Sequence, residues 1–157
     1  MAIGHGASAL DRIVRSVVVL ALAWILTACE LETLESSWAT RAEAVAAGGV
    51  EKGWIPDWVP AAAVNIREIH NLDSNEQSLR FELPDGSLLT LPSGCRAIDS
   101  SQMLGEHFQP HWWPSPSELA SLYTIYHCPP LSTRTTHLAI ARTGSPVLYW
   151  TRWPDST

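Results

Sequence analysis

The strongest constraint on this chain is a short apolar run near its start. Arg12 and Arg15 precede Ser16 to Ala28, thirteen residues without a charge. A helix crossing the hydrocarbon core needs about 20 apolar residues, so this run is too short for a comfortable span. A basic stretch followed by a short apolar one is the layout of a secretory signal. The expectation is that residues 1–28 are removed and that the rest folds in an oxidising compartment.

The run ends in Leu26-Thr27-Ala28-Cys29. This tetrapeptide resembles the lipobox of bacterial lipoproteins. The resemblance implies a signal peptide over 1–28, lipidation at Cys29 with palmitate on the new amino terminus, and a membrane partner through that anchor. It places the protein in the cell envelope, facing the periplasm. Glu30 stands where an aspartate would resemble an inner-membrane retention signal, which favours the outer membrane.

The expected mature chain has 129 of the 157 residues, with eight basic and fifteen acidic side chains, against a net charge of −6 for the whole. Lys52 is its one lysine. A chain so poor in cations lacks the footprint of a nucleic-acid binder. Lipidation would consume Cys29 and leave Cys95 and Cys128. Neither lies in a C-x-x-C pair, which argues against zinc, and a disulfide is the expectation over two buried thiols.

Leu31, Leu34, Trp38, Ala42 and Val45 fall at three- and four-residue spacings and predict a helix over 31–47, stopped by Gly48-Gly49. Residues 29–52 are then a lipidated tether and helix, and 53–157 a small domain. Strands are predicted at Val64 to His70, Ser78 to Leu83, Ser87 to Leu91, Thr136 to Arg142 and Val147 to Trp153, and a short helix from Glu118 to Tyr126 capped by Ser117. No strand–helix–strand alternation occurs. The fold class predicted is α+β, an N-terminal helix followed by a small antiparallel sheet built from hairpins.

Trp58-Val59-Pro60, Ala63, Ile66, Phe81, Trp112-Trp113-Pro114, Leu138-Ala139-Ile140 and Val147-Leu148-Tyr149-Trp150 make most of 53–153 similar to small, uncharacterised envelope lipoproteins of the YbbD head-like kind. That resemblance implies an α+β fold and brings no catalytic residues with it.

Chemistry-bearing patterns are few. Glu106-His107-Phe108-Gln109-Pro110-His111 places two histidines four apart, as helix-borne zinc ligands are, but Pro110 breaks a helix between them. No G-x-S-x-G elbow, phosphate-binding glycine loop or cofactor motif occurs. The expectation is therefore no catalytic residue, no metal and no cofactor. Trp112 and Trp113, in a predicted loop, are the candidate partner-binding residues, although indoles in a small domain more often fill its core. A non-catalytic binding or assembly module is the leading reading, with an envelope protein or the cell wall as partner. The alternatives are a membrane-tethered inhibitor or immunity-type protein, whose acidic surface would steer a basic target, and a hydrolase using Glu106, His107 and His111.

Overall fold

A computed structural model describes residues 32–130 and 133–154. Within it, Thr33 onward forms a body of its own. The expected signal peptide and Cys29 lie outside the described residues.

The body is a seven-stranded sheet in which every neighbouring pair runs antiparallel. The strands are β1 (Thr33–Thr40), β2 (Val64–Asn71), β3 (Gln77–Glu82), β4 (Arg96–Ile98), β5 (Tyr123–Cys128), β6 (Thr135–Ala141) and β7 (Val147–Arg152). Their order is β1-β2-β3-β7-β6-β5-β4. Two meanders, β1-β2-β3 and β5-β6-β7, join where β3 pairs with β7, and short β4 closes one edge. Among the described residues the helices are α1 (Arg41–Ala46), α2 (Pro116–Leu122) and a 3-10 turn at Ser100–Gln102.

This β-rich architecture corrects the α+β expectation, and the N-terminal helix is the main error. Residues 33–40 form an edge strand whose exposure alternates residue by residue. Leu34 and Trp38 are one helical turn apart, but they are also two strand periods apart, and both spacings put them on one side. Their neighbours decided the outcome. Thr33, Ser36, Ser37 and Thr40 are poor helix formers, and pairing with β2 from Thr33↔Asn71 to Thr40↔Val64 supplies the ladder that a helix would forgo. Helix α1 begins only after Thr40, whose side chain accepts from Glu43 N at 3.2 Å.

Two smaller corrections follow. Helix α2 is capped by Ser115, with Pro116 in its first turn, and it stops at Leu122 so that Tyr123–Cys128 can pair with β6. Residues 87–91 form no strand. Leu89 and Leu91 pack instead across one sheet face as part of its cover.

Both faces of the central strands are covered, so β7 is buried from Val147 to Thr151. On the back face, Leu79, Phe81, Leu138 and Tyr149 meet Ala44, Ile55, Val59 and Ala63 from the segment between β1 and β2. On the front face, Leu148, Trp150, Ala139 and Ile125 meet Leu119 and, partly buried, Met103 and Trp113. The expected disulfide is present, joining Cys95 beside β4 to Cys128 at the end of β5.

The back face also holds a fully buried acid. Among the described residues Glu68 on β2 bonds the His70 ring alone, with Nδ1 at 2.9 and 3.0 Å from its two oxygens. His70 stacks on Trp54 at 4.4 Å between ring centres, and the Lys52 ammonium lies 4.5 Å from that indole's centre. Burial pushes the Glu68 carboxyl from 4.5 up to about 9, and burial also lowers His70. The pair is therefore neutral, with the carboxyl donating to the ring. The folded state keeps a proton that the unfolded chain releases above pH 4.5, so stability falls as pH rises from there through 9. Glu68→Gln keeps a neutral donor and should flatten that decline. Urea denaturation at pH 5, 7 and 9 checks it, and an unchanged slope would contradict the assignment.

Candidate functional site

The front face carries a ladder of rings running across the strands. Trp112 meets Trp113 edge-on at 5.8 Å, Trp113 meets Trp150 at 5.6 Å, Trp150 stacks on His137 at 5.1 Å, and His137 meets His127 at 5.6 Å. The register produces its strand-borne half, because Trp150↔His137 and His137↔His127 are cross-strand partners pointing to one face. The loop over 103–115 supplies the other half.

That loop is fastened by Glu106. Its buried carboxylate accepts from Ser78 Oγ at 2.7 Å, from Phe108 N at 2.6 Å and from Gln109 N. An acid that ties two of its own loop's N–H groups to a hydroxyl on β3 is a clasp, and those bonds occupy the oxygens that a general acid or base would need free. His107 points away and meets Glu76 at 2.8 Å, while His111 Nε2 accepts from Arg67 at 3.3 Å. Glu106, His107 and His111 thus bond to three different partners. Among the described residues no three His, Cys, Asp or Glu side chains gather as metal ligands.

Between this loop and α2 lies a groove of about 420 Å³. Pro110, Pro114 and Pro116 stiffen its walls, Trp113 and Leu119 supply apolar surface, and Glu106, His111 and Glu118 supply polar groups. Trp113, one of the two predicted binding residues, lines the groove; its indole N–H is buried without a partner. Trp112 does not line it, and its Nε1 donates to Glu35 at 2.6 Å. Sequence reading missed Gln109, Pro114 and Glu118 as groove residues. Ser115 capping α2 through Glu118 was the one local signal available for that wall.

Burial, followed by the charge of His127, pushes His137 down from 6.5 to about 4. The folded state therefore holds His137 neutral while the unfolded chain protonates below 6.5. Its contribution is present above that value and is lost as pH falls through 4, by up to about 3 kcal/mol. Neither ring nitrogen has a partner, so His137→Phe sacrifices no hydrogen bond and should flatten this acid limb. Unfolding measured from pH 7 to 3.5 checks it.

The family model of the YbbD head domain matches residues 32–82. This stretch is similar to a YbbD head. It comprises β1, α1, β2 and β3, one meander with its back-face cover, and it begins earlier than the residues that first carried the resemblance. The YbbD head-like stretch ends before the groove loop and the β5-β6-β7 meander, so Trp112-Trp113-Pro114 and the motifs on β6 and β7 lie beyond it. No curated protein and no solved structure matches the chain.

Proposed function

We propose that this protein is a lipid-anchored envelope module that binds a partner non-catalytically through the front-face groove. The carrying observation is the groove itself. Its walls are held rigid by prolines and the Glu106 clasp, Trp113 gives it an aromatic surface, and its Glu106 and His111 are engaged in structural bonds. Such a preformed, part-apolar concavity with few polar groups suits recognition. The bonds made by Glu106, His107 and His111 weigh against the hydrolase alternative.

Anchoring rests on the lipobox-like Leu26-Thr27-Ala28-Cys29. Thr33 opens β1 four residues after Cys29, a reach of at most about 14 Å. A lipid there would hold that end of the sheet close to a bilayer. The same end carries Leu72 and Trp153, each about half exposed, which suits a membrane interface.

Labelled palmitate should enter the wild type and not Cys29→Ser; label in both would remove the anchor. A photo-crosslinker at position 109, on the groove, should yield a discrete adduct in cells that is absent from position 122. Equal adducts from both positions would remove the groove reading.

A further inference from the structure

The front face of the YbbD head-like stretch carries a second recess, linked to the groove through the Arg67–His111 contact and independent of the anchor. Its volume is about 400 Å³. In it Arg67 on β2 stands directly opposite Arg80 on β3, and Ser37 on β1 stands opposite Arg67. Residues in register on neighbouring antiparallel strands point to the same side, so two guanidinium groups and a hydroxyl form one row. Like charges placed this way destabilise a sheet, and this pair sits in a chain with net charge −6.

The local acid does not cancel the pair. Glu82 is the one carboxylate lining the recess; it accepts from Arg80 at 2.7 Å and from Asn65 Nδ2 at 2.8 Å. Those contacts, Asn65 first, hold its carboxyl below the ordinary range. Asn65 reaches Glu82 from a left-handed backbone, φ 50°, at a bulge between Val64 and Arg67 that also resets the strand so that Arg67 faces Arg80. Arg67 is left with a histidine nitrogen, His111 Nε2, as its hydrogen-bonded partner. Two guanidinium groups and one carboxylate leave one net positive charge, presented by donors shaped for a planar or tetrahedral oxyanion.

We propose that Arg67 and Arg80, with Ser37, form a binding site for a singly charged oxyanion, the carboxylate or phosphodiester group of a ligand. The anion bridges the two guanidinium groups and relieves their repulsion. Glu82, held by Asn65 and Arg80, keeps the site at one net charge and so sets its preference for monoanions.

The test is titration of the full chain, in neutral detergent, with sodium acetate and separately with dimethyl phosphate, reading the arginine side-chain N–H signals by NMR at constant ionic strength. Saturable shifts at Arg67 and Arg80 with either probe are the expected result, and the stronger probe identifies the ligand group. Arg67→Gln and Arg80→Gln should each weaken binding about tenfold, the loss of one charge-assisted hydrogen-bonded contact. Glu82→Gln should tighten it about two- to fivefold by removing the competing charge. These positions are part-buried, and unchanged melting temperatures would show that the fold is intact. Overturning results are linear, unsaturated shifts with both probes, or equal affinity in the Arg67→Gln/Arg80→Gln double variant.

Discussion

Replacing Trp150 with alanine is expected to be the most damaging single change, at about 4 kcal/mol. The indole is fully buried at the centre of the front face, between Trp113 and His137. Phe or Trp to Ala in a core costs about 3–5 kcal/mol, because the transfer energy is lost and a cavity remains. Its Nε1 also donates to the Leu104 carbonyl at 2.8 Å, and truncation strands that acceptor under the groove loop. A domain of this size has about 5–15 kcal/mol in total, so the variant should lose much of its stability, with a clearly lower urea midpoint. Trp150→Phe keeps a ring against its neighbours and forfeits the hydrogen bond, and about 1–2 kcal/mol is expected from it. An alanine variant within 1 kcal/mol of the wild type would mean that the ladder does not hold the two layers together.

Opening the Cys95–Cys128 disulfide is expected to cost nearly as much. The two residues are 33 apart in sequence, and closing a loop of that length in the unfolded chain is worth roughly 3–4 kcal/mol on the chain-entropy account. Here the bond also has a local task. Strand β4 has three residues and pairs with β5 alone, too little to hold an edge by itself. The disulfide fixes it one residue beyond Arg96↔His127. Space there is tight, because Gly94 has φ +81° and a side chain on it would meet Pro129 Cγ at 2.6 Å. The Cys95→Ser/Cys128→Ser variant should melt well below the wild type, and reductant should lower the wild type while leaving the variant unchanged. Hydrogen exchange at Arg96–Ile98 should rise both in the reduced wild type and in the variant. Equal stability with and without reductant would refute the claim.

These two cases divide differently between sequence and structure. The disulfide was legible from cysteine arithmetic: two cysteines outside any metal-binding spacing, on a chain that resembles an exported one. Trp150 was legible as a core residue because it sits within strand-forming Val147–Arg152. Its role as the middle rung of a ladder was not. That depends on β7 lying against β6 and on a loop some 40 residues earlier in the chain folding over both.

The β2–β3 and β6–β7 hairpins could be read directly, whereas the strand expected at Ser87 to Leu91 did not form. Alternation at Leu79 and Phe81, and strand formers flanking Thr143 to Pro146, are short-range signals, and the observed strands end within a residue or so of the expected ones. Residues 33–40 carried a pattern that serves a helix or a strand equally, and partners thirty residues away broke the tie. Strand β4 is too short to have a period at all.

By itself, then, the sequence determined the β2–β3 and β6–β7 hairpins and the cysteine pairing, since turn chemistry and residue counts are properties of the chain. Only the tertiary structure decided the rest. It made residues 33–40 an edge strand, turned Glu106 into a clasp, left Trp113 on a groove while Trp112 bonds Glu35, and set Arg67 against Arg80. The physical reason is one of range: each of these outcomes needs a partner far along the chain, through the backbone for β1 and through side chains for Ser78–Glu106, Glu35–Trp112 and Arg67–Arg80, and no local periodicity encodes which strand will become whose neighbour.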